Sequence, residues 1–265
     1  MLGKEDTAVR GNFLSALAMF IAVSVTFINV INPILVLVGI GIGAIIGSLI
    51  ALKVKMTSIP EMVALFNGFG GLATFFIAWS EFNSIPSNNF QYLLVMITTY
   101  IGGVTFSGSV IAYGKLSETL KVEKSSIITK LFTTLFYISI IYLLYSIFIT
   151  KIFSPGFDFF TILLILTLLG GVGFVIPIGG GDMPVVISLL NSFSGIAAAF
   201  AGLLLLNNVL IVAGSLVGAS GLILTIIMAK AMNRSIGNIL FVGYASSASA
   251  SKSEETGEVK PINVS

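Results

Sequence analysis

The chain has 265 residues, of which 56% are hydrophobic and 9% charged, with a mean hydropathy of +1.08 and a formal charge of +2. A soluble domain carries about 25% charged residues, so this composition cannot clothe a water-facing surface and marks an integral membrane protein. Cysteine and histidine are both absent. Disulfides and thiolate chemistry are thereby excluded, a zinc site is disfavoured, and the net charge gives no footing for nucleic acid.

Apolar runs of roughly 17–25 residues can cross a bilayer as helices. Eight occur in chain order: Phe13–Ile31, Pro33–Leu52, Pro60–Ser80, Gln91–Gly114, Leu131–Thr150, Asp158–Ile178, Met183–Leu206 and Asn208–Ala229. Pro33, Pro60 and Pro184 fall near helix starts, where a missing N–H costs nothing. The first run is not a signal peptide, since it lacks a clear small-residue cleavage site and Glu5 and Asp6 spoil its basic flank.

An even count puts both termini on one side. With both in the cytosol, Lys4, Arg10, Lys53, Lys55, Lys115, Lys121, Lys124, Lys130, Lys230, Arg234, Lys252 and Lys260 lie inside, and only Lys151 lies outside. That asymmetry satisfies the positive-inside rule, and an odd count would scatter it. The expected fold is an all-α integral membrane bundle of about eight transmembrane helices with cytosolic termini. Residues 1–12 form a cytosolic segment, 13–235 the membrane domain, and 236–265 an exit segment and flexible linker. The linker ends in SSASASKSEETGEVKPINVS (Ser246–Ser265), whose small, polar and charged residues cannot build a core.

Three spans carry amides or hydroxyls at matching depth. At 1.5 Å per residue, Asn67 lies about 10 Å inside the third helix from Pro60, Ser109 about 9 Å from Lys115, and Asn191 about 13 Å from Asp182. Hydrocarbon offers no hydrogen-bond partner, so such groups need one another or water, and as a set they suggest a route through the cytosolic half. Ser192 and Ser194 flank Asn191; Gly70, Gly71 and Thr74 continue the Asn67 face. Each polar residue alone is equally well explained by a private interhelical bond worth about 0.6 kcal/mol. Glu61 and Asp182 stand at helix starts, where capping explains them, and Lys230 and Arg234 end the last helix, where snorkelling does. Gly39/Gly43/Gly47 and Gly214/Gly218/Gly221 read as close-packing stripes. No nucleotide-binding glycine loop lies between a strand and a helix, and no Ser-His-Asp set is possible. No inverted repeat relates the halves, which weakens a secondary-transporter reading.

Four blocks then stand out: VKMTSIPEMVALFNGFGG (Val54–Gly71), GGVTFSGSVIAYGKL (Gly102–Leu116), GGDMPVVISLLNSFSG (Gly180–Gly195) and VGASGLILTIIMAKAMNRS (Val217–Ser235). In this order they closely resemble the membrane domain of the beta subunit of proton-translocating NAD(P) transhydrogenase. The resemblance implies that proton passage through this domain is coupled to hydride transfer between NAD(H) and NADP(H). Those cofactors sit in soluble partner domains, and this chain binds none. It further implies a proton channel at Asn67, Ser109 and Asn191, with Ser192 and Ser194 beside it. Glu61, Asp182, Gly221 and Arg234 match positions for conduction or signalling to the NADP(H) domain.

The implied partners are an NADP(H)-binding domain or subunit, an alpha subunit carrying the NAD(H) domain, and the bilayer, in an assembly that is dimeric as a whole. The implied location is the prokaryotic plasma (inner) membrane rather than the mitochondrial inner membrane. The chain departs from the family in three ways. Some members carry histidine at the Asn67 position, and an amide orients water rather than carrying a proton. The usual first helix is missing, and GEVKPINVS looks like a linker into an absent NADP(H) domain. An engineered fragment or one piece of a split enzyme is expected, unable alone to transfer hydride. The alternatives are a small-solute or ion permease without a redox partner, and a structural anchor for the NADP(H) domain.

Overall fold

The computed structural model describes residues 5–28, 32–84, 88–120, 127–149 and 157–239. Eight helices succeed one another, with no strand among the described residues: α1 (Glu5–Ile28), α2 (Pro33–Lys53), α3 (Ile59–Asn83), α4 (Asn89–Leu116), α5 (Ile127–Ile149), α6 (Phe157–Val175), α7 (Met183–Leu204) and α8 (Asn208–Ala231). Each is long and apolar enough to cross a membrane. The protein is an all-α integral membrane protein.

Local chemistry sets the helix ends. Pro33, Pro60 and Pro184 occupy first-turn positions of α2, α3 and α7. Asn88 and Asn207 cap α4 and α8, their side-chain oxygens accepting from Gln91 N at 2.9 Å and Leu210 N at 3.1 Å. α1 starts at Glu5, ahead of the apolar run expected from Phe13, because a helix can continue into polar residues beyond the hydrocarbon. α6 stops at Val175, short of the expected Ile178. Pro177 cannot donate into the helical ladder, so the chain turns there and enters α7 through a 3₁₀ turn, Gly180–Asp182. Most of the expected linker, residues 240–265, lies outside the described residues, as do Lys4, Lys121, Lys124 and Lys151.

Residues 1–56 and 57–265 form two units. In the first, every described residue of α2 is exposed or half-buried, and the Cβ positions of Gly39, Gly43 and Gly47 meet nothing within 4 Å. In the second, α4 is central: it packs on α3, α5, α6 and α7, while α8 packs on α7. Glycines let the helices approach closely. A Cβ at Gly71 would lie 2.8 Å from Gly102 O, and one at Gly195 only 2.4 Å from Gly218 N, so α3/α4 and α7/α8 meet backbone to backbone.

Two apolar clusters hold the second unit. One, near the end of the bundle carrying Asp182, contains Ala64, Ala112, Val175, Met183, Val186 and Leu190. The other, at the opposite end, contains Ala78, Phe82, Tyr92, Leu94, Phe160 and Leu204. Phe82 and Phe160 stack there with ring centroids 3.9 Å apart. The polar groups of α3, α4 and α7 lie between the two.

Candidate functional site

The Gly68–Ser109 and Gly71–Gly102 contacts fix the crossing of α3 and α4. They bring Asn67 opposite Ser109, and Asn67 Nδ2 donates to Ser109 Oγ at 3.0 Å. From α7, Ser194 Oγ donates to Asn67 Oδ1 at 2.8 Å and also to Asn191 O at 2.8 Å. Asn67 therefore joins three helices, using one donor and its acceptor. Ser109 is fully buried, whereas Asn67 and Ser194 are half-buried. In hydrocarbon each of these groups would otherwise be orphaned at a cost of several kcal/mol, so the three side chains satisfy one another across the helix contacts.

The side chains of Asn191 and Ser192 make no hydrogen bond to this cluster among the described residues. The half-buried Asn191 makes no side-chain hydrogen bond among the described residues, although its backbone carbonyl accepts from Ser194. Ser192 faces α8, its Oγ donating to Gly218 O at 2.7 Å. One turn earlier, Ser188 Oγ donates to Gly221 O at 3.2 Å and accepts from Thr225 Oγ1 at 3.2 Å. Gly221 belongs to the same seam, where an added Cβ would lie 2.9 Å from Ser192 Cα. Equal spacing along a helix fixes depth, but the neighbouring helices decide which side chain faces the site.

At the Asp182 end a second group of polar side chains gathers. Asp182 does not cap α7 through its side chain. Its Oδ1 instead lies 3.8 Å from Arg234 Nε. Asn233, at φ 52°, adopts the left-handed turn that ends α8, and Arg234 N donates back to Ala229 O at 2.9 Å. That turn swings the chain so that the guanidinium reaches the start of α7. Arg234 is 53% exposed and Asp182 16%, so the pair is a contact at the mouth of the bundle rather than a buried ion pair. Glu61, in the first turn of α3, forms no side-chain hydrogen bond or ion pair among the described residues.

Lys115, which the sequence offers as an inside charge and as the exit point of the fourth span, is a further functional candidate. Its ammonium donates to Val175 O at 3.1 Å, to Ile178 O at 2.6 Å and to Ile176 O. These carbonyls end α6 and form the turn leading to Asp182. A cation there satisfies groups a helix terminus leaves open and complements the negative end of its dipole. The signal was available: a basic residue in the last turn of α4, opposite a proline-broken helix end.

Comparison with known proteins gives the family of the chain. The family model described as NAD(P) transhydrogenase beta subunit matches residues 1–265. The chain belongs to the NAD(P) transhydrogenase beta subunit family. Two relatives named NAD(P) transhydrogenase subunit beta, from Rhodospirillum rubrum and from a named strain of that species, are each 37% identical to it over 256 residues. The alignments cover 92% of this chain and 54% of each relative, so the chain spans about half the length of the relatives it matches. Within this beta-subunit-family chain, the Asn67–Ser109–Ser194 cluster and the Asp182–Arg234 pair lie on the same bundle of α3, α4, α7 and α8. Among the described residues no group of three or more acidic side chains could hold a metal ion.

Proposed function

We propose that this chain is the proton-conducting membrane module of a proton-translocating NAD(P) transhydrogenase. The observation carrying this reading is the Asn67 amide, which bridges Ser109 on α4 and Ser194 on α7 inside the bundle. Asn67 Nδ2 has a second hydrogen and Ser109 Oγ has one lone pair left, so the cluster can orient water on both its donor and acceptor sides. It cannot itself be the proton carrier, because neither an amide nor a serine hydroxyl titrates near neutrality. Protons pass along water that these groups hold in place.

In this reading both termini are cytosolic and the Asp182–Arg234 pair marks the cytosolic mouth. Residues 236–265 lead to an NADP(H)-binding domain or subunit, and an alpha subunit brings the NAD(H)-binding domain. The whole assembly is dimeric and sits in a prokaryotic plasma membrane. Hydride transfer takes place in the soluble domains, which hold the nucleotides. Asp182, Glu61, Arg234 and Gly221 carry the change of nucleotide state to α7 and α8, whose backbones touch at Gly195 and Gly218. Asn191, half-buried beside the cluster, takes part through water. The available energy is about 2.3 kcal/mol per proton per 100 mV, enough to bias a gate whose states differ by a few kcal/mol.

The test is reconstitution. Liposomes carrying this chain with its alpha subunit and an NADP(H)-binding domain should acidify or alkalise their lumen only when both nucleotides are supplied. Solute or ion uptake by liposomes holding the chain alone, with no response to nucleotides after the partners are added, would replace this reading with a permease.

A further inference from the structure

The Asn67 cluster lies towards one end of the bundle, and beyond it α4 continues as the central helix. The face of α4 bearing Ser109 also bears Thr105 and Thr98. Successive residues turn by about 100°, so these positions fall within about 40° of Ser109 and extend about 16 Å along the axis. Both threonines are fully buried. From α3, Thr74 lies two turns beyond Asn67 on its face and is 6% exposed. The contacts put Thr105 and Thr74 in one seam between α3 and α4. Thr105 Cβ would meet a Cβ at Gly71 at 2.9 Å, and Thr74 Oγ1 would meet one at Gly102 at 2.7 Å.

Thr105 donates to Ile101 O at 2.6 Å, Thr98 to Leu94 O at 2.7 Å and Thr74 to Gly71 O at 2.8 Å, all within their own helices. None bonds across a helix contact, so none adds interhelical glue, and valine would fill the same space. Ser107, on the α6 side of α4, also donates within its helix, to Gly103 O at 3.0 Å, so it is position on the Ser109 face, not the bonding pattern, that sets Thr98 and Thr105 apart. Tyr100 Oη pairs with Ser139 Oγ at 3.1 Å, and its backbone carbonyl accepts from Thr167 of α6 at 2.8 Å. At the depth of Thr98, Thr99 Oγ1 is buried with no partner, the one such side-chain atom among the described residues. It is turned about 100° round the helix from Thr98, and a water at this level would satisfy it.

We infer that Thr105, Thr74 and Thr98 form a hydroxyl ladder that continues the proton route outward from the Asn67 cluster. It ends at the apolar layer of Leu94, Phe82 and Leu204, which closes the route in this conformation. This inference rests on the proposed proton-conducting reading. Each threonine keeps its own proton on a backbone carbonyl and offers free lone pairs to water. An excess proton moves from water to water: one O–H bond forms on the receiving water as one breaks on the donor, and no threonine O–H bond breaks. When the apolar layer parts, the ladder supplies the acceptors that a bare hydrocarbon seam lacks.

The experiment uses the assembled enzyme in liposomes with a pH-sensitive dye inside, started with NADPH and NAD⁺, and reads the initial rate of proton movement. The double variant Thr98→Val with Thr105→Val should lose at least about tenfold, since a rate follows its barrier exponentially. Thr98→Ser with Thr105→Ser restores the hydroxyls and should return the rate to within about twofold of the parent. Thr167→Val, which removes a buried hydroxyl on the α6 side, should keep the parental rate. Should the double valine variant fail to assemble, Thr98→Val alone is read in the same way. An unchanged rate in the valine variant, beside an inactive Asn67→Leu enzyme, overturns the ladder and leaves the conducting reading standing. An equal loss in Thr167→Val also overturns the ladder. A normal rate in Asn67→Leu overturns the reading beneath it.

Discussion

Asn67 and Ser194 lie 127 residues apart in sequence, yet their side chains meet at 2.8 Å inside the bundle. With Ser109 they tie α3, α4 and α7 together at one depth. A bond of this kind is worth only about 0.6 kcal/mol on average between membrane helices, so its contribution to stability is small. Its larger consequence is geometric, because it fixes where these three polar side chains point within the bundle.

Lys115 should matter to stability more than its place at a helix end suggests. Lys115→Met leaves the carbonyls of Val175, Ile176 and Ile178 without their charged donor. Hydrogen bonds to a charged group are worth about 1.5–3 kcal/mol, and the loss should be of that order. Thermal unfolding of the purified protein in detergent should show a lower midpoint for Lys115→Met and a smaller drop for Lys115→Arg.

The Asp182–Arg234 pair should behave in the opposite way. With Arg234 53% exposed, solvent screens the interaction, and Asp182→Asn should change stability by no more than about 1 kcal/mol. In the proposed function the same substitution slows nucleotide-driven proton movement. Unfolding and proton-movement measurements on one preparation separate the two effects. A large loss of stability would recast the pair as structural.

Steric predictions follow from the glycine contacts. At Gly195 an alanine Cβ would lie 2.4 Å from Gly218 N and 2.9 Å from Gly214 O, both backbone atoms that cannot swing aside. Gly195→Ala should force α7 and α8 apart and cost about 1–3 kcal/mol. Gly70→Ala is the matched comparison, since its Cβ meets nothing within 4 Å, and it should be neutral or gain about 0.5–1 kcal/mol of helix stability. The two unfolding midpoints should move in opposite directions or differ clearly.

Much of this was legible in the residues. Hydropathy gives the eight spans because a bilayer imposes one length and one polarity on every helix. The Pro33, Pro60 and Pro184 helix starts followed from the missing N–H of proline, and Pro177 could have fixed the end of α6 in the same way. Depth matching paired Asn67 with Ser109 correctly. It could not choose between Asn191, Ser192 and Ser194, which lie at similar depth while Ser192 points about 100° from Asn191 and about 160° from Ser194 round α7. That choice is made by α8, which draws Ser192 to Gly218 O, and by α3, which receives Ser194. The Asp182–Arg234 contact was equally hidden, since it depends on the left-handed turn at Asn233.

The most direct measurement is proton movement by the assembled enzyme carrying Asn67→Leu, reconstituted in liposomes and supplied with both nucleotides. Leucine keeps the volume and the helix but removes the amide that joins Ser109 and Ser194. The expected result is a correctly folded enzyme with nucleotide-driven proton movement reduced to background. Proton movement at the parental rate would contradict a hydrated route organised by Asn67.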